Sequence, residues 1–148
     1  MTVHEALGAN HGVTLVASDI DTNVLATASR GVYEASARGL TPQHLRNYFL
    51  RGKGANSGSI RVKPELARMI EFRPFNLMQT SWQLGDPFDI VFCRNVMIYF
   101  DATTQRQVLE RIHRVMKPGG MLFVGHSENF TESRDLFSLK GKTVYDKV

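Results

Sequence analysis

The chain has 148 residues, 43% of them hydrophobic and 22% charged, close to the globular average, so one packed domain is the expectation. Its 18 basic and 14 acidic residues leave a net charge of +4, which favours acidic partners, and no basic run interleaved with aromatics points to nucleic acid. The single cysteine, Cys93, excludes an internal disulfide framework, and the five histidines (His4, His11, His44, His113, His126) are scattered without metal-ligand spacing. No apolar run approaches the roughly 20 residues that span a bilayer. The opening MTVHEALGANHG lacks the basic-then-apolar order of a secretory signal. A cytoplasmic location without membrane insertion is the simplest expectation.

Taken in chain order, Thr14 to Ile20 (TLVASDI) is an apolar run ending in Ser18 and Asp19, the pattern of a parallel strand covered on both faces. Asp21-Thr22 offers a helix start, Val24, Leu25 and Ala28 an apolar face, and Gly31 a stop. Thr41-Pro42 opens a second helix with His44, Leu45, Tyr48 and Phe49 on one side. The Gly- and Ser-rich RGKGANSGS stretch from Arg51 reads as a turn, and Ser59 to Lys63 alternates as a half-exposed antiparallel strand. In MIEFRPFNL, Met69 to Leu77, Pro74 marks a strand end or bulge.

Pro87 to Cys93 (PFDIVFC) reads as another buried strand, followed directly by Arg94-Asn95. Thr103 to Met116 is a helix with a stripe of Val108, Leu109, Ile112, Val115 and Met116, with Gln105, Arg106, Arg111 and Arg114 pointing away, stopped by Lys117-Pro118-Gly119-Gly120. Met121 to Val124 is a third buried strand, and a hairpin around Lys140-Gly141-Lys142 closes the chain. Alternating strands and helices ending in a hairpin give an α/β sheet with an antiparallel edge. In such sheets ligands bind beyond the carboxyl ends of the parallel strands, where Asp19, Asn76 and Arg94-Asn95 fall.

An acid at a strand end can accept both hydroxyls of a ribose; Asp19 and Asp21 are equally readable as caps of the next helix. Arg94 and Tyr99 lie just past a strand, either as a site lip with a fixed positive charge and a positioned hydroxyl or as a loop with an arginine salt bridge and a core tyrosine. His126 and Glu128, after MLFVG, read as a solvated loop more readily than as an acid/base pair. Cys93 reads as a small buried residue rather than a nucleophile.

The segments ASDID (Ala17 to Asp21), RGKGANSG (Arg51 to Gly58), FDIVFCRNVMIYFD (Phe88 to Asp101), MKPGG (Met116 to Gly120) and GHSENF (Gly125 to Phe130) occur in this order. Together they closely resemble the chemotaxis receptor methyltransferase family, CheR, from about Val13 to Tyr145. The resemblance implies a class I S-adenosylmethionine (SAM) methyltransferase fold, Rossmann-like, with a small inserted antiparallel β subdomain at about 48–72. It implies methylation of glutamates on the cytoplasmic domain of chemoreceptors, giving methyl esters and S-adenosylhomocysteine. By the same resemblance Asp19 binds the SAM ribose, Asn76 and Leu77 flank the adenine, and Arg94, Asn95 and Val96 line the pocket. Arg94 and Tyr99 are the catalytic candidates, Tyr99 lying beside the transferred methyl. The RGxGxxxG turn implies docking of a receptor's C-terminal tail peptide, for which Arg51, Gly52, Arg61 and Lys63 are the candidates.

Relative to that family the chain starts late. The first strand, its methionine-gripping loop and the N-terminal helical domain are not in it, so it reads as a partial C-terminal domain over 1–148. The expectation is weak SAM binding by this chain alone, with a receptor-binding module that transfers no methyl group as the competing reading. The missing strand would lie between those ending at Asp19 and Cys93. A sheet in which these two strands close up and pair, or a strand-paired dimer, is therefore expected.

Overall fold

A computed structural model describes residues 1–8 and 12–148 of the chain; His11 lies outside the described residues. The chain divides into two compact units, Met1–Asn76 and Leu77–Val148.

The first unit opens with helix α1 (Thr2–Leu7), then β1 (Leu15–Asp19) and α2 (Thr22–Arg30). The cap of α2 is Asp21, whose carboxylate accepts from the Asn23 and Val24 N–H groups. Gly31 ends the helix in the left-handed region at φ 61°, where only a glycine sits without cost. β1 pairs in parallel with β5 (Ile70–Pro74), Asp19 standing opposite Pro74. Pro74 ends the strand, as its missing donor requires.

Between them lies a three-stranded antiparallel sheet in the order β2 (Val32–Glu34), β4 (Ser59–Val62), β3 (Phe49–Arg51). Helix α3 (Pro42–Tyr48) feeds β3 directly, and α4 (Pro64–Ala67) follows β4. Thr41 and His44 form a reciprocal capping box at the start of α3. The small sheet thus draws on Val32–Glu34 as well as on the 48–72 stretch, and Phe49 belongs to a strand rather than to the helix face expected for it. β4 is the central strand, so its backbone is paired on both sides.

Gly52 shows why this turn is glycine-rich. Its N–H donates to the Ser59 carbonyl at 2.8 Å. A Cβ there would overlap the Asn56 carbonyl oxygen and come 2.9 Å from its carbon. Gly52→Ala therefore forces backbone to move, and overpacking of this kind costs about 1–3 kcal/mol. The melting temperature should fall by several degrees in calorimetry; a variant melting with the wild type would show the turn free to adjust.

The second unit is a four-stranded sheet in the order β6 (Phe88–Cys93), β7 (Met116–Val124), β9 (Val144–Lys147), β8 (Phe137–Gly141), with helix α5 (Ala102–Arg114). β6 and β7 run parallel and the β8–β9 hairpin is antiparallel. Asp101 caps α5 by accepting from the Thr104 N–H at 2.7 Å, and that bond holds its carboxyl below the ordinary range. Val108, Leu109 and Ile112 from α5 are at most 1% exposed and pack with Leu122, Val124 and Phe137. Val108, Leu109 and Ile112 fall at i, i+1 and i+4, on one face of α5, so its apolar stripe meets the sheet as the sequence pattern requires.

Three sequence expectations change here. Lys117 to Gly120 does not separate helix from strand; β7 already pairs at Met116, and the ladder shifts register between Phe88 and Ile90. The KPGG stretch is thus a bulge inside a strand, with Gly119 at φ 73°. Arg111 does not point away, because its guanidinium donates to the Leu77 carbonyl at 3.1 Å. The strands at Thr14–Ile20 and Pro87–Cys93 do not pair with each other among the described residues: β1 takes β5 as its parallel partner and β6 takes β7.

Candidate functional site

In the first unit the candidates from the sequence are Asp19 and Asn76. Asp19 Oδ1 accepts from the Asp21 N–H at 2.9 Å, and the Asp19 carbonyl accepts from Phe75 N–H at 2.9 Å. Asp21 caps α2, so the capping role that composition allowed for either acid falls to Asp21. Asp19 keeps acceptor capacity at the carboxyl end of β1, with Asn76 two residues past the end of β5.

In the second unit the candidates lie on the turn that follows β6. Arg94 and Asn95 are exposed, Met97 is fully buried, and Met97–Tyr99 forms a single 3-10 turn. Tyr99 is 81% exposed, which excludes the core-tyrosine reading. Asn95 stands at φ 59°, among the described residues the only non-glycine in the left-handed region, where asparagine is tolerated better than most side chains. Among the described residues the Arg94 guanidinium has no acceptor or ion-pair partner. The Leu77 carbonyl is held by Arg111, and its side chain packs on the core of this unit.

Glu128 departs from expectation. It is 6% exposed, not part of a solvated loop. Its carboxylate accepts from the N–H groups of Asn95 at 3.2 Å, Val96 at 3.1 Å, Met97 at 2.9 Å and Gly125 at 2.6 Å. A buried carboxylate is tolerated only when its oxygens are filled in this way. From the other side, Gln105 Nε2 donates to the Met97 and Phe100 carbonyls at 2.9 and 3.1 Å. The turn is therefore fixed through its donors by Glu128 and through its acceptors by Gln105. Sequence reading missed both. The available signal was an acid just past one parallel strand end, beside a neighbouring strand end whose turn N–H groups need acceptors.

Cys93 is buried beneath this turn, and burial, with Glu128 adding to it, pushes its thiol up to about 12. It stays protonated at neutral pH and is no nucleophile. A groove of about 450 Å³ lies elsewhere in this unit, lined by Gln105, Arg106, Asn129 and Ser133 among others. Its arginine is already bound by Glu110 and Asp135. No metal cluster occurs among the described residues.

On the small sheet the four peptide candidates separate. Arg61 stands opposite Val32 and Leu50, while Arg51 stands opposite Ile60, so the two arginines point to opposite faces. Lys63 Nζ donates to the Arg46 and Asn47 carbonyls at 3.2 and 2.6 Å, capping the end of α3. That engagement occupies two of the three donors of Lys63. Gly52 serves the turn, as its contact with Asn56 shows.

The fold is that of class I SAM methyltransferases. The N-methyltransferase NodS from Bradyrhizobium japonicum superposes with a TM-score of 0.51 over 90% of this chain and 73% of that one, at 13% identity. The chain belongs to the family described as CheR methyltransferase, SAM binding domain, which matches residues 1–145. It is 52% identical to the chemotaxis protein methyltransferase of Klebsiella aerogenes, 49% to that of Escherichia coli and 46% to methyltransferase 2 of Pseudomonas aeruginosa, in each case over 98% of the chain. The chain spans about half the length of these relatives, 51% or 52% of each. No helix among the described residues is long and apolar enough to cross a membrane.

Proposed function

We propose that this domain takes part in the transfer of a methyl group from SAM to glutamate carboxylates of chemoreceptors. The observation that carries the reading is the turn after β6, clamped by Glu128 and Gln105 and displaying Arg94 and Tyr99, in a chain of the CheR family. When bound, SAM supplies an electrophilic methyl group on a sulfonium. A glutamate carboxylate is already ionised at neutral pH, so no general base is required. The methyl would pass to a carboxylate oxygen as the carbon–sulfur electron pair goes to sulfur, giving a methyl ester and a neutral thioether. Catalysis is then positioning and charge placement.

Asp19 fits the ribose role because its carboxylate is not spent on capping α2. Asn76 and Leu77 would flank the adenine, and Asn95 and Val96 would line the pocket. Arg94 would hold the incoming carboxylate and Tyr99 orient it. A charge-assisted hydrogen bond is worth about 1.5–3 kcal/mol. Asp19→Ala in the full-length protein should therefore weaken SAM binding by roughly ten-fold or more. Unchanged affinity in calorimetry would remove the ribose role. If the wild type binds receptor but neither SAM nor S-adenosylhomocysteine, the domain acts as a receptor-binding module instead.

The small sheet supports a second contact. Val32 and Leu50, 45% and 50% exposed, flank Arg61 on one face, and both outer strands offer an edge for an extended peptide. An acidic receptor-tail peptide is the proposed occupant. Arg61→Glu should abolish its binding in fluorescence anisotropy, and equal binding by both proteins would count against this face.

A further inference from the structure

We propose that Glu128 is a positioning residue of the methyl-transfer site, setting the backbone at residues 95–97 so that Arg94 and Tyr99 face the reacting groups. The proposal rests on the methyl-transfer reading above and adds to it a side chain that touches neither reactant.

The two halves of the turn are held differently. The second half is anchored by Met97, fully buried in the core, and by the two bonds from Gln105. The first half, from Arg94 to Val96, is exposed and sends no side chain into the core. Its geometry depends on Asn95 staying at φ 59°, away from the helical and extended regions that a side chain prefers. Glu128 supplies the restraint. Oε1 takes the Val96 and Met97 N–H groups and Oε2 takes those of Asn95 and Gly125. Each oxygen thus ties a different part of the turn, and Oε2 also ties it to the loop after β7. Glu128 is itself placed by the backbone of that loop, its N–H donating to the Gly125 carbonyl at 3.2 Å. Four donors converging on one buried carboxylate leave it no capacity to act as a base, which agrees with a reaction needing none. Arg94 adjoins the restrained residues directly, and Tyr99 lies two residues beyond Met97.

The test uses Glu128→Gln and Glu128→Asp in the full-length protein. Glutamine turns one oxygen into a donor facing two N–H groups; aspartate keeps the charge but falls one methylene short. The first readout is hydrogen exchange at the amides of Asn95, Val96, Met97 and Gly125, compared with amides of the β8–β9 hairpin. The second is single-turnover methyl transfer to a receptor cytoplasmic fragment at saturating SAM. The expected result is faster exchange confined to those four amides and a turnover rate down roughly 100-fold, the size of effect a misplaced catalytic group produces. SAM affinity should change by less than ten-fold. Exchange unchanged from the wild type, or loosened exchange with the wild-type rate in either variant that folds, would overturn the proposal. A wild-type protein that transfers no methyl group to the fragment would instead overturn the methyl-transfer reading, and this proposal with it.

Discussion

Arg94→Ala in the full-length protein is expected to lower methyl transfer by about 100-fold or more while SAM affinity changes far less. The guanidinium is exposed, follows the clamped end of β6 and has no partner among the described residues. Two parallel N–H donors match a carboxylate in a way that no other side chain does. If Arg94 holds the glutamate, its loss removes the orientation on which an in-line attack depends, and misplacement by about an ångström costs on the order of 100-fold. The contacts proposed for the ribose and the adenine lie on Asp19, Asn76 and Leu77, so binding and turnover should separate. Radiolabelled methyl transfer at near wild-type rate would show that Arg94 is only a solvated surface residue. Arg94→Lys is the sharper control: it restores the charge without the fork and should recover only part of the rate.

Gly125→Ala should be at least as damaging, for a steric reason. A Cβ on Gly125 would overlap Asn95 Oδ1 and come 3.0 Å from Glu128 Oε2 and 3.1 Å from the Asn95 nitrogen. Two of these atoms belong to the hydrogen bonds that fix the turn, so the methyl group cannot be accommodated by a free side-chain end. The variant should keep its sheet, whose pairing Gly125 does not join, yet lose methyl transfer below detection. A melting temperature lowered by several degrees with the fold kept, together with an inactive protein, is the expected pair of results. Full activity would mean that the Asn95 side chain swings away without consequence.

Much of the fold is written locally. Helix α2 begins at Asp21 and ends at Gly31, α5 follows Asp101, and each boundary is legible because one capping side chain or one left-handed glycine decides it. Strand β2 was not legible: Val32–Glu34 is three exposed residues whose only reason to be extended is β4, nearly thirty positions away. The KPGG bulge was hidden for a similar reason, since Lys117 to Gly120 read as a helix stop until the β6 register is known. At the site, Arg94, Asn95 and Tyr99 stood out by following an apolar run. Glu128 and Gln105 did not, because their partners are backbone groups that no sequence pattern names. The separation of Arg51 from Arg61 was likewise invisible: alternation says only that neighbours diverge, and the cross-strand register decides which residues share a face.

The small sheet leaves and rejoins the chain at one place. The Gly31 carbonyl, at the end of α2, accepts the Val62 N–H at 2.9 Å, and the Tyr48 carbonyl accepts the Lys63 N–H at 2.9 Å. A segment whose ends meet can be lengthened, shortened or exchanged without moving the elements on either side of it. Under the peptide-docking proposal, recognition of a partner is then free to diverge among related domains while the proposed chemistry stays unchanged, and transplanting residues 31–63 between two such domains is expected to exchange their peptide partners.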